Sequence, residues 1–110
     1  MNAPLYELTD EFVSIPATVI DRTTFGKWDA ETRRALGNPD AIVLAGVTTD
    51  CCVLSTSLAA ADAGVHVTVA ADACVGVTDA DHRRALDAMA LYSPMIDIAA
   101  VDNILASVTR

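Results

Sequence analysis

Two adjacent cysteines, Cys51 and Cys52, are the residues of this chain whose placement best suits chemistry. They follow the apolar segment Ala41–Val47, which has the composition of a buried strand, and they open a small-residue segment that ends at Gly64 and has the composition of a helix. A cysteine in the first turn of a helix faces unpaired backbone N–H groups and the positive end of the helix dipole, and both favour thiolate over thiol. This arrangement suits a cysteine nucleophile.

Helical periodicity assigns different roles to the cysteines. Cys51 shares a helix face with Leu54, so we expect it to fill the core. Cys52 points toward the side of Ser55, where a first-turn thiol looks out over the strand ends. Cys74 follows a predicted strand, and we interpret it as a small apolar residue. Since free cysteine is among the residue types most often buried, spacing alone favours a structural thiol at Cys52, with a nucleophile as the alternative.

The cysteine and histidine pattern does not fit a disulfide framework or a metal site. The three cysteines are an odd number, and Cys51 and Cys52 could pair only in a strained ring. Neither His66 nor His82 lies at ligand spacing from that pair. The turn Gly46–Asp50 is not a glycine-rich phosphate loop, which disfavours a nucleotide-binding half-domain. We therefore expect no metal and no cofactor.

Short β-branched runs alternate with alanine-rich stretches, which is typical of parallel βα units. We predict an α/β fold over residues 1–110 as a single domain, with a three-layer α/β/α, Rossmann-like parallel sheet of about four strands. Asp29 and Thr78 are expected helix caps, and Leu86, Met89 and Ala90 an expected buried stripe. The predicted strands are Ala17–Asp21, Ala41–Val47, Val65–Ala71 and Met95–Val101, and the predicted helices are Asp29–Leu36, Cys51–Ala63, His82–Leu91 and Asp102–Val108.

In a parallel sheet the carboxyl ends of the strands lie along one edge, where open α/β sheets bind ligands. Arg22, the segment Thr48–Cys52 and Cys74 each follow a predicted strand. We therefore expect these residues to lie on the same rim.

Composition and charge disfavour nucleic acid and membranes as partners. The chain has 110 residues, 53% of them hydrophobic, and a formal net charge of −8. This acidity disfavours nucleic acid and anionic membranes as partners, and no apolar run approaches the ~20 residues needed to span a bilayer. The segment Met1–Glu11 carries acid where a secretory signal has a basic region, so we expect a cytoplasmic protein.

Several segments together resemble the isochorismatase-like cysteine hydrolases, a family that includes nicotinamidases and streptothricin hydrolase. The segment Ala45–Thr56 is similar to the family's nucleophile segment, and Val19–Trp28 to its lysine strand and aromatic-bearing loop. Ala59–Gly64 and Val69–Cys74 resemble the segments that follow the nucleophile, and the resemblance runs from about Val13 to the carboxyl terminus. It implies a hydrolase that cleaves a C–N amide bond of a small molecule through a cysteine thioester.

The resemblance also implies roles for single residues. Cys52 would be the nucleophile, and a cis peptide between Val47 and Thr48 would turn the Thr48 N–H toward that of Cys52, so that the two amides form an oxyanion hole. Phe25 and Trp28 would line the substrate pocket, although both also suit an ordinary apolar core.

Two features depart from the family pattern. The family uses an Asp-Lys-Cys triad, and no segment of this chain reads as the first strand that ends in the aspartate. Arg22 stands where the resemblance places the lysine; it keeps the positive charge that supports a thiolate but cannot easily release a proton. Lys27, five residues later, is interpreted as a solvated loop residue. We expect greatly reduced amidase activity from the chain as it stands.

The family sheet has the strand order 3-2-1-4-5-6, so the strands without a counterpart would lie between Ala17–Asp21 and Ala41–Val47. The segment Met1–Gly37 would then dock differently, pair across a dimer or belong to a longer protein, and the sequence leaves these alternatives open. Exposed strand edges favour association with another chain, and we expect a homo-oligomer. The alternative function is a non-catalytic remnant or interaction subunit of the same fold that uses this edge to bind a partner or itself.

Overall fold

The computed structural model describes residues 17–108, along which helices and strands alternate. The stretch before Ala17 lies outside the described residues. It includes Val13, where the resemblance is predicted to start, and the acidic segment Met1–Glu11. The π-helical turn Thr49–Val53 carries both adjacent cysteines and is called the cysteine turn below. The other elements are α1 (Ala30–Ala35), β1 (Ala41–Val47), α2 (Leu54–Asp62), β2 (His66–Val75), α3 (Asp79–Ala90), β3 (Ile96–Ala99) and α4 (Val101–Val108).

The three strands form a parallel sheet in the order β1-β2-β3. Ala41 is opposite His66 and Leu44 is opposite Val69, but Gly46 is opposite Cys74, so the register shifts after Leu44. β2 therefore extends to Val75 and contains Cys74, beyond the predicted end at Ala71. The parallel α/β fold expected from the sequence is confirmed.

The predicted strand Ala17–Asp21 is wrong, and the sheet among residues 17–108 has three strands instead of about four. Val19 is 59% exposed and no neighbouring strand pairs with this segment within the described part of the chain. A β-branched run forms a strand only where another strand takes up its backbone hydrogen bonds, and local sequence does not report that.

Side-chain caps begin two helices where the sequence predicts them. Asp29 accepts a hydrogen bond from the Thr32 N–H at 2.8 Å and begins α1. Thr78 accepts one from the Asp81 N–H at 3.0 Å and begins α3. Each cap satisfies a backbone donor that has no partner inside the helix.

The main core lies between the sheet and helices α2 and α3. Val67 and Val69 of β2, Ile96 of β3 and Met89 of α3 are fully buried there. In α2, Ala60 and Ser57 are fully buried, and Ala60 belongs to the apolar core.

The other sheet face is covered at β2, which α4 contacts. Ala70, whose side chain points away from the face of its neighbour Val69, is 4% exposed. Of the stripe predicted for α3, Met89 is buried and Leu86 is half-buried, but Ala90 is exposed. The second buried residue of the helix is Ala85. Within residues 17–108 no helix is both long and apolar enough to cross a membrane.

Candidate active site

The cysteine turn connects the carboxyl end of β1 to α2. The Val47–Thr48 peptide that leads into it is cis, as the resemblance implies. The Thr48 carbonyl accepts hydrogen bonds from the N–H groups of Cys51, at 3.2 Å, and Val53, at 3.1 Å. Because the two donors flank Cys52, the turn is closed around the predicted nucleophile.

A small cavity of about 160 Å³ lies at the carboxyl end of β1, and Cys52 is part of its wall. Cys52 and Cys51 are both half-buried, so burial does not distinguish them, but Cys51 does not line this cavity. Thr48, the other predicted oxyanion-hole residue, is half-buried and directly follows the cavity-lining end of β1. The cavity is lined by Lys27, Leu44, Ala45, Gly46, Val47, Cys52, Val53 and Thr56.

Lys27 is the positively charged residue of this cavity, which the sequence reasoning missed when it assigned Lys27 to a solvated loop. Its Nζ donates to the Arg22 carbonyl at 3.0 Å and to the Thr24 carbonyl. Its backbone N–H donates to Oγ1 of Thr56 on α2 at 2.9 Å, and this bond fixes the loop beside the cysteine turn. The available signal was that Lys27 is the only lysine in the chain and lies within the aromatic-bearing loop, between Phe25 and Trp28.

The Arg22 side chain does not line the cavity of Cys52 and lies against the start of α1. Its Nε donates to Asp29 at 2.8 Å, and its Nη2 donates to Glu31 at 3.0 Å. These two hydrogen bonds raise the pKa of the Arg22 guanidinium, and the Arg22 partner is the main cause that lowers the pKa of Asp29. The structure thus brings Lys27, and not the Arg22 side chain, into the cavity of Cys52.

The two aromatic residues predicted for the pocket wall are not in the cavity of Cys52. Phe25 is 68% exposed. Trp28 is half-buried, packs against the core and lines a neighbouring groove of about 380 Å³ along β1. Lys27 and Thr56 line both the groove and the cavity, so the two are adjacent.

Cys74 is a core residue, 6% exposed. Burial raises the pKa of its thiol, and a backbone hydrogen bond from Gly46 acts in the opposite direction. Among the described residues the three cysteines are free, and no group of three or more histidine, cysteine or acidic side chains is placed to hold a metal ion.

The arrangement provides the parts for nucleophilic attack on a carbonyl group. A half-buried thiol lies in the turn that leads into α2, where the helix dipole favours negative charge. Lys27 lines the same cavity, and its ammonium group donates to the carbonyls of Arg22 and Thr24. Backbone N–H groups near a helix start stabilise an oxyanion as it develops.

A model of the isochorismatase domain matches residues 1–100. Among solved structures, the chain is similar to a putative MAR1 ribonuclease from Leishmania major, with a TM-score of 0.76, 24% identity and coverage of 82% of this chain and 47% of that one. An isochorismatase family protein from Desulfovibrio vulgaris has a TM-score of 0.74 and 19% identity, over 96% of this chain and 53% of that one.

The nicotinamidase PncA from Bacillus subtilis has a TM-score of 0.60 and 25% identity, over 71% of this chain and 44% of that one. No curated protein sequence matched. The chain spans about half the length of the solved structures it matches. The three-stranded parallel sheet is consistent with the fold of these structures. Because the family model matches residues 1–100, the chain belongs to the isochorismatase family.

Proposed function

We propose that this chain carries a cysteine hydrolase site that cleaves a C–N amide bond of a small molecule. The observation that carries the proposal is that Cys52 and Lys27 line one cavity at the carboxyl end of β1. Open parallel sheets bind their ligands at this edge.

In the proposed reaction the Cys52 thiolate attacks the amide carbon, and a C–S bond forms as the carbonyl electrons move to oxygen. The N–H groups of Thr48 and Cys52 receive this oxyanion, and such donors are typically worth roughly 3 kcal/mol each in the transition state. The C–N bond then breaks, and the amine leaves with a proton. Water hydrolyses the thioester, which releases the acid and restores the thiol.

Proton transfer is the slow part of this scheme. No carboxylate lines the cavity among the described residues, so the leaving amine takes its proton from the Lys27 ammonium or from water. A positioned acid or base typically contributes about 10²- to 10⁴-fold, and we therefore expect slow turnover.

Charge favours a small neutral substrate. One neighbour is described as a putative ribonuclease and another as a nicotinamidase. A net charge of −8 repels a polyanion such as RNA, whereas a neutral amide is unaffected.

The three free thiols within the described residues suit a reducing compartment, and we propose that the protein is cytoplasmic.

The test is release of ammonia from a panel of small primary amides, nicotinamide included. We expect turnover by the wild-type chain, none by Cys52→Ala, and near wild-type turnover by Cys51→Ala, the matched control from the same turn. Ammonia release that is equal in wild type and Cys52→Ala would refute the proposal. Cleavage of an RNA oligonucleotide without amide turnover would favour a nuclease instead.

A second candidate function is a subunit that binds a further copy of itself. The observation in its favour is β1, which pairs on one side only within the described chain and leaves Val43 56% and Val47 65% exposed. An uncharged strand edge of this kind readily pairs with another strand.

A further inference from the structure

The cysteine turn is held from outside by α3 and by the connection that precedes this helix. Thr49, the first residue of the turn, is completely buried, and its Oγ1 lies 2.7 Å from Nδ1 of His82 on α3. The contact joins residues 33 positions apart in the sequence. Neither residue lines the cavity of Cys52.

A second hydrogen bond attaches the next residue of the turn. Oδ1 of Asp50 accepts the backbone N–H of Val77 at 3.2 Å. Two consecutive residues of the turn are therefore bonded to the segment that runs from the end of β2 into α3, just ahead of the two cysteines.

The backbone before α3 approaches His82 so closely that a side chain would not fit. A Cβ placed on Gly76 would lie 2.8 Å from both the Cβ and the backbone nitrogen of His82. His82 also donates its backbone N–H to the Thr78 carbonyl at 2.9 Å, within the first turn of α3. The backbone and Cβ of His82 are thus packed against Gly76, and its imidazole is hydrogen-bonded to Thr49.

We propose that His82 is a positioning residue for the Cys52 site. Through Thr49 it fixes the start of the cysteine turn, so that the N–H groups of Thr48 and Cys52 keep a common direction toward the cavity. Catalytic groups must be held within fractions of an ångström, and residues outside the reacting shell provide this constraint. The inference rests on the proposed function of Cys52, because it assigns His82 a role in the same reaction.

The test compares His82→Leu, which removes the hydrogen bond, with His82→Asn, whose amide reaches the position of Nδ1. Thr49→Val and Thr49→Ser form the corresponding pair on the other side of the contact. His66→Gln is the matched control, since His66 lies at the opposite end of β2 and pairs with Asp97 at 2.8 Å. Melting temperature is recorded for all variants.

Two readouts are used: amide hydrogen exchange of residues 48–53, and kcat and KM for the best amide substrate. We expect His82→Leu and Thr49→Val to raise exchange about fivefold and to lower kcat about tenfold with KM nearly constant, as for a loss of orientation. His82→Asn and Thr49→Ser should restore both. The double variant should be no worse than either single one.

The inference would be overturned if His82→Leu had the same amide exchange and kcat as His66→Gln. It would also be overturned if neither His82→Asn nor Thr49→Ser restored the wild-type values. If the wild-type chain turns over no amide, the proposed function fails. Faster amide exchange in His82→Leu, restored by His82→Asn, would still support the positioning of the cysteine turn by His82 through Thr49. The two failures are therefore distinguishable.

Discussion

Cys52 and Lys27 come from different segments of the chain and line one cavity, while Arg22 lies against Asp29 and Glu31. The guanidinium of Arg22 is occupied by two carboxylates, but its backbone carbonyl accepts a hydrogen bond from Nζ of Lys27. Arg22 thus contributes to the site through its main chain. We propose that the positive charge near the thiol is supplied by Lys27.

Replacement of the Lys27 ammonium tests this assignment. We expect Lys27→Met to lower kcat for an amide by about 10²-fold, because an electrostatic group that supports developing charge is lost. The matched control is Arg83→Met, which removes one positive charge from the exposed surface of α3. Equal kcat values for these two variants, with melting temperatures close to wild type, would contradict the role of Lys27.

At the scale of elements, the start of α1 depends on one carboxylate. Asp29 caps the helix through the Thr32 N–H and pairs with Arg22, and both contacts hold its pKa below the ordinary range. Because the folded-state pKa is lowered, the stabilisation is complete above the ordinary carboxyl pKa of about 3.9 and is lost as the pH falls through the folded-state value.

Acid unfolding of Asp29→Asn tests this linkage. Asparagine is an equally good helix cap but carries no charge, so the variant retains the cap and loses the ion pair. We expect the melting temperature of the wild type to fall more steeply than that of Asp29→Asn below about pH 4. Thermal melts by circular dichroism at a series of pH values measure both slopes, and parallel slopes would disprove the linkage.

The sequence predicts those elements that are determined locally. The caps Asp29 and Thr78 are visible because each bonds to a backbone N–H within the same turn, and β1 is visible as an unbroken apolar run. Ala17–Asp21 could form a strand only with a partner strand, and it forms none. The position of Lys27 depends on a hydrogen bond to Thr56, 29 residues away. Neither follows from local pattern, because long-range contacts decide both.

The predicted parts of the site lie in one contiguous segment, whereas the missed contact joins segments that are far apart in the sequence. The resemblance of one contiguous motif implied the role of Cys52 and the cis Val47–Thr48 peptide; the peptide is cis, and Cys52 lies at the end of β1. The contact between Thr49 and His82 joins two elements that are adjacent only after folding. Periodicity within α3 gives no sign of it.

At the scale of the whole molecule, the chain carries a net charge of −8 and spans about half the length of the solved structures it resembles. Within the described residues, β1 is an edge strand without a charged side chain, and natural edge strands are usually protected by lysine, proline or a covering element. We propose that a second copy of the chain pairs at this edge.

Sedimentation of a β1 variant tests the association. We expect a wild-type dimer, and a monomer for Val43→Lys, because a charge at this exposed position opposes strand pairing without disturbing the core. Leu91→Lys is the matched control, since Leu91 is 85% exposed at the end of α3. A wild-type monomer, or a dimer that survives Val43→Lys unchanged, would contradict the proposal.

The central claim is that the Cys52 sulfur forms a thioester, and its most direct test is the mass of the acylated chain. The chain is mixed with p-nitrophenyl acetate, quenched in acid and mapped by peptide mass spectrometry. We predict one acetyl group on Cys52, retained in Cys51→Ala and absent from Cys52→Ala. An unmodified Cys52, or acetyl groups spread equally over Cys51 and Cys52, would contradict the account.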